Sequence, residues 1–369
     1  MNRIQFKASA LSAILVALLP LSALAQEGGA RHYAYIETND ARDNHVLVFE
    51  QRSGGQLKEM ASVPTDGRGN GGSLGQGALA LTADGHTLFA VNNGTNSISV
   101  FRVNGSTLTL LEIVSSGGTG PISIAENDGL VYVLNAGGAT NNIYGFAWTR
   151  VAGLIPIPGS KMGLSTASPT PVQIGINPDA SQVVVTENAT NLIEVFNLSW
   201  DGRPSPAVVN KSAGLTPFGF AFDSLGNLLV SDANGGAAGV SYGSSYAIDP
   251  TGMLHPHTAL APTHQTAACW ATTDSEGRYL YLADAGSNAI TGFRILHTGA
   301  IQPLSSNGLT ASTDPHPIDM ASSKNDEYLY VLSNMGGAID EYEIQLDGTL
   351  TRIGSVIGLP NSISGIVTK

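Results

Sequence analysis

Five residues of this 369-residue chain are of the types that move protons or grip a cation: Glu187, Asp232, Asp284, His264 and His316. Each carboxylate ends an apolar run, in VVVTE, LLVSD and YLYLAD. The two histidines stand in proline-flanked loops, after Pro262 and between Pro315 and Pro317. Carboxylates and imidazoles gathered on one rim can act as general acid and base. They can also offer ligands to a hard cation such as calcium. A carboxylate at a strand end has a plainer use, which is to hydrogen-bond the backbone of the following turn. A second polar set, Arg68, Gln76, Gln173, Asn93 and Asp319, is expected to contact a bound ligand. The chain lacks the His-Glu-x-x-His and paired-Cys spacings of dedicated zinc sites. Its single cysteine, Cys269, lies in Ala-Ala-Cys-Trp and reads as a small packed hydrophobe in a buried strand.

These residues occupy fixed places in a recurring unit. The unit runs apolar strand, tight polar turn, second strand rich in Leu, Val and Tyr, Asn/Asp/Gly loop, third strand, Gly turn, short fourth strand. The clearest copy, GALALTADGHTLFAVNNGTNSISVFRVNGSTLTLLEIV, starts at Gly77. Others start at Pro121, Pro171, Pro217, Ala267 and Pro317, roughly 44 to 50 residues apart, which is the period of a four-stranded propeller blade. Two fragments remain. Residues 32–37, 45–50 and 57–63 form three strands without a first one, and residues 362–367 form a first strand without the rest. Joined, they make one more blade and leave no open sheet edge. The pattern predicts an all-β fold: a seven-bladed propeller of four-stranded antiparallel blades. The C-terminal strand should close the ring by pairing with the N-terminal strands, giving one domain over residues 26–369.

Residues 1–25 stand apart from that repeat. Arg3 and Lys7 precede an apolar run over residues 10–24, and Ala23-Leu24-Ala25 forms a small-x-small cleavage site. This is the pattern of a signal peptide, and it predicts a secreted or periplasmic protein. No later run is long and apolar enough to span a bilayer, so no membrane span is expected after cleavage. Without Arg3 and Lys7 the chain keeps 15 basic against 29 acidic residues, a formal charge of −14. That balance, with no basic cluster, disfavours nucleic acid as a partner.

Chain direction sets the geography of such a ring. Crossovers from an outer strand to the next inner strand share one face with the loops joining second to third strands. The Asp-Gly turns lie on the other. The ten candidate residues map to the crossover face, at inner-strand entrances, at the ends of second strands and in the first crossover, and its longer, more varied loops make it the expected working face. The glycine-rich crossover DGRGNGGSLGQG (residues 66–77) is followed by neither a helix nor a Lys. It therefore reads as a flexible connection, not a phosphate cradle.

The segments ALALTADGHTLFAVNNGTNSISVFRV, PVQIGINPDASQVVVTENATNLIEVF and YLYLADAGSNAITGFRI, with their Gly-x-Ile or Gly-x-Leu turns, resemble the lactonase-like seven-bladed propellers. That group contains 6-phosphogluconolactonase and the fungal carboxymuconate lactonizing enzymes. The resemblance covers the mature chain. It implies a lactonase (a carboxylic-ester hydrolase) or a cycloisomerase acting on a small lactone at the channel mouth. His264 or His316 would be the base, and Glu187, Asp232 or Asp284 would orient it or hold a metal ion. Members place His and Arg where inner strands begin. Here the same positions read Pro-Ile, Pro-Val and Pro-Phe, with Pro315-His316-Pro317 the one echo and Arg68 the main arginine of the face. Few cationic donors point to a neutral lactone or sugar-like ligand over an anionic one. The competing reading is a non-catalytic propeller whose Asn- and Gln-rich face binds a glycan, a peptide or a protein.

Overall fold

The computed structural model describes residues 31–72, 74–138, 140–165 and 169–369; the expected signal peptide lies outside them. The described residues from His32 to Lys369 form one compact unit of seven antiparallel sheets. Numbered by their inner strands, blades 1 to 7 begin at Ser364–Thr368, Leu79–Leu81, Pro121–Asn127, Pro171–Ile176, Pro217–Phe222, Ala268–Thr273 and Pro317–Ser322. Blade 1 is the composite one. Ser364–Thr368 pairs with Tyr33–Glu37 through Ala34↔Thr368, Tyr35↔Val367 and Ile36↔Ile366, and Tyr33 and Lys369 exchange both backbone hydrogen bonds. The ring closes as the two sequence fragments predict. In blades 3 and 6 the outer strand is broken in two.

Blades stack through alternating apolar residues, as in the edge-on contact of Phe89 with Trp148 at 5.4 Å. A recurring polar contact fixes their spacing. Tyr35, Tyr132, Tyr281 and Tyr330, all on second strands, donate to the carbonyls of Gly105, Gly202, Gly348 and Gly55 in the third-to-outer turn of the next blade. Gly55 and Gly348 have φ of +86° and +88°, and a Cβ there would run into the rings of Tyr328 and Tyr279. Both the left-handed backbone and the close approach require glycine.

A second recurring contact ties the crossovers down. The last residue of each second strand, in ring order Glu37, Asn92, Asn135, Glu187, Asp232, Asp284 and Ser333, is fully buried. In five blades it faces a polar residue two places into the third strand from its own register partner: Ser99, Glu194, Ser244, Thr291 or Asp340. It or that partner also meets the arriving crossover. Thr65 Oγ1 donates to Asn92 at 2.6 Å, the Ser165 amide to Glu194 at 2.5 Å, Ser212 Oγ to Asp232 at 3.1 Å and the Asp314 amide to Asp340 at 2.9 Å.

Burial in these latches moves protonation. Burial pushes the Asp232 carboxyl up to about 7, despite hydrogen bonds from Ser244 and Ser212. Unfolded, an Asp titrates near 4. Between those values the folded chain holds the extra proton, so the stabilisation is complete at low pH and is lost as pH rises from about 4 to about 7. The thermal midpoint measured by calorimetry should be higher at pH 5 than at pH 8 by a few degrees. The gap should narrow in Asp232→Asn. A midpoint that is flat over this range, or a gap that is unchanged in the variant, refutes the assignment.

Candidate functional site

The channel is where the first surprise lies. The glycine-rich crossover expected to be flexible turns inward, and residues 74–77 fill the axis. Gln76 lies at the start of blade 2, yet its side-chain amide pairs with the Ala271 backbone of blade 6. Nε2 donates to the Ala271 carbonyl, and the Ala271 amide donates to Oε1 at 3.0 Å. Ser123 Oγ of blade 3 donates to the Gln76 carbonyl at 2.5 Å, and the Leu74 amide donates to Ser364 Oγ of blade 1 at 3.3 Å. Glycine is needed at position 75 because a Cβ would collide with the Val172 carbonyl of blade 4. The composition DGRGNGGSLGQG thus serves close packing inside a ring.

Asp319 and Gln173 share this interior. Asp319, on the inner strand of blade 7, accepts from the Met320 amide at 2.8 Å and from the Gly77 amide at 3.5 Å. Burial pushes its carboxyl up to about 7. Gln173 repeats the Gln76 device on blade 5: Nε2 donates to the Phe220 carbonyl at 2.9 Å and the Phe220 amide donates to Oε1 at 2.6 Å. Both glutamines cap an inner-strand backbone, so the structure gives them structural partners.

Glu187, Asp232 and Asp284 sit in three different blades, each within its own latch and each fully buried. Thr190 Oγ1 donates to Glu187 at 2.6 Å. Burial first, and then the neighbouring Glu194, raise the Glu187 carboxyl to about 7. Asp284 takes a hydrogen bond from Thr291 at 2.8 Å, and burial holds it well above the usual carboxylate range. The structure does not bring the three together. Among the described residues no three His, Cys, Asp or Glu side chains gather as a cation-ligand set.

The open part of the face carries the rest. Asn93 Nδ2 donates to the Pro121 carbonyl at 3.1 Å, joining blades 2 and 3. Arg68 is exposed, and its backbone is tied to Thr95 and Gly94. Arg42, which the sequence reading missed, belongs to the neighbouring blade 1 loop, where the Gly69 amide donates to the Asp40 carbonyl at 2.7 Å. His264 is exposed, with φ of +56°. His316 is half-buried, with φ of +63°. Gly120, Thr170 and Thr216 hold the equivalent left-handed position before Pro121, Pro171 and Pro217. A left-handed asparagine of the preceding blade fixes several of these corners. Asn96 accepts from the Gly120 amide at 2.7 Å, Asn191 from Thr216 at 2.6 Å and Asn288 from His316 at 2.9 Å. The imidazole is fixed as well, with His316 Nδ1 2.8 Å from Asn334 Oδ1. An amide oxygen only accepts, so Nδ1 carries the proton, and the neutral ring has its lone pair on Nε2. Clefts between blades also open on the opposite face, one of about 580 Å³ beside Asp179, Gln182 and Asp249.

Fold and site define a seven-bladed propeller whose crossovers build a polar rim over a filled axis. The family described as lactonase, seven-bladed β-propeller, matches residues 5–157, and over that stretch the chain is similar to the lactonase-like propellers. Solved structures agree on the fold. The periplasmic gluconolactonase of Pseudomonas aeruginosa superposes with a TM-score of 0.71 at 14% identity, over 92% of this chain and 99% of that one. A candidate 6-phosphogluconolactonase of Bacteroides fragilis gives 0.70 at 18% identity, over 92% and 98%. Among curated proteins none matches.

Removing the Gln76 side chain leaves the Ala271 N–H and C=O unpaired in the interior, at about 1–3 kcal/mol for each group. Gln76→Ala should therefore lower the thermal midpoint and speed hydrogen exchange at the Ala271 amide. Unchanged exchange there would show that the channel is not sealed by this contact.

Proposed function

We propose that this chain is an exported lactonase that opens a small neutral sugar lactone on its crossover face, with His316 as the general base. The observation that carries the reading is the 2.8 Å contact of His316 Nδ1 with Asn334 Oδ1. It leaves Nε2 as the basic nitrogen, on a corner held by Asn288. In the proposed step Nε2 takes a proton from water as the water oxygen bonds to the lactone carbonyl carbon. The ring C–O bond then breaks as the protonated Nε2 returns that proton to the departing ring oxygen, giving the hydroxyl of a hydroxy acid and the neutral imidazole. Arg68, and Arg42 beside its crossover, are the cations on this face suited to the carbonyl oxygen as it gains charge. His264 is the second imidazole of the rim.

The match of residues 5–157 to the lactonase family model supports a lactone substrate. A strongly acidic chain with few arginines on the face favours a neutral lactone over a phosphorylated one. Export rests on the signal-peptide pattern of residues 1–25, and it accords with a structural neighbour that is a periplasmic gluconolactonase. Glu187, Asp232 and Asp284 would contribute to this reaction through the crossovers they hold.

The test is a pH-stat assay on D-glucono-1,5-lactone and its 6-phosphate, with and without calcium. Turnover of the neutral lactone is expected, and His316→Ala should lower kcat/KM by roughly 10² or more, the usual range for a general base. His264→Ala should cost less. Folded protein without turnover on either lactone would sink the proposal and favour a module that binds a glycan, a peptide or a protein.

A further inference from the structure

On the face opposite the crossovers, one ion pair spans the cleft between blades 2 and 3. Arg150, in the third-to-outer turn of blade 3, reaches Asp84, in the first turn of blade 2, at 2.6 Å. The pair separates two compartments of opposite character. Toward the axis, about 340 Å³ is bordered by three carboxylates, Asp84, Glu126 and Asp128, with Arg150 common to both compartments. Toward the rim, about 470 Å³ is bordered by His86, Arg102 and Arg150, with Asn104, Trp148 and Leu111. In a chain with formal charge −12, two arginines and a histidine around one hollow are a local reversal of sign.

The rim compartment is built from firm elements. Arg102 is the register partner of Thr87, so it projects from the same face of blade 2 as Phe89, toward blade 3. Trp148 of blade 3 is packed edge-on against Phe89 at 5.4 Å. Arg150 is held across the cleft by Asp84. Among the described residues Arg102 has no ion-pair partner, in contrast to Arg52, Arg203, Arg278 and Arg352. Planar guanidinium forks match carboxylate oxygens. Trp148 and Leu111 offer an apolar wall to a short carbon chain, and Asn104 and His86 offer partners for its hydroxyls.

We propose that this compartment binds a small polyhydroxy carboxylate, a sugar acid, with Arg102 and Arg150 on the carboxylate and the Trp148 wall along the carbon chain. The site lies on the face away from His316 and does not depend on the lactone reaction.

The test is titration of the full chain with gluconate, followed by calorimetry and by the NMR signals of the Trp148 indole and the His86 ring. Binding in the range of ~1 mM, with shifts at both residues, is expected. Arg102→Gln should weaken it at least tenfold, with thermal midpoint and lactone turnover unchanged. His316→Ala should leave it intact. Absence of gluconate binding, equal affinity for glucose or inorganic phosphate, or an affinity that Arg102→Gln does not change would each overturn the site. Since turnover is read separately, a failure here is distinct from a failure of the lactonase reading.

Discussion

Inner strands impose the constraint around which this molecule is arranged. Each of the seven presents an unpaired edge of N–H and C=O groups to the axis, and a buried, unpaired backbone group is costly. Side chains answer it around the ring. Gln76 pairs with Ala271 and Gln173 with Phe220. Lower in the channel, Thr368 Oγ1 donates to the Ser322 carbonyl, Ser322 Oγ to Thr273 and Thr273 Oγ1 to Phe222. Polar residues on inner strands are thereby committed to holding the ring, and the accessible chemistry moves outward to the crossover corners.

The carboxylates follow the same logic. A ring of seven sheets needs each crossover pinned where it passes over the blade it enters, and a buried acceptor at the end of the second strand does this. Asp232 between Ser212 and Ser244 is the clearest case. Such a group is most stable when protonated, and this couples the crossover face to pH. The histidines differ because they sit on corners, where the backbone is set by a proline and an asparagine and the side chain stays near the surface.

The two ends of this propeller are built by different devices. Blade stacking fixes the clefts of the turn face, where Phe89 and Trp148 set the distance between two blades. Crossover corners fix the other face. Neither arrangement requires the axis to be open, and here it is filled by residues 74–77.

Periodicity alone determined the strand order, the seven blades and the closure of blade 1 by the C-terminal strand. These follow from local alternation and from turn residues at regular spacing. The signature of the latch was also present, as Ser99, Glu194 and Asp340 next to the buried apolar residues Ile98, Ile193 and Ile339 of the third strands, in SISVF, LIEVF and AIDEY. It became legible only once register placed Ser99, Glu194 and Asp340 beside the ends of the second strands. Whether Asp232 would be a base or a buried anchor, and whether Gln76 would meet a ligand or the opposite wall of the ring, depended on burial and on partners some 20 to 200 residues away in the chain. Only the tertiary structure decides such questions. A side chain's chemistry is set by what surrounds it, and spacing along the chain carries no record of what closure of a ring brings across its axis.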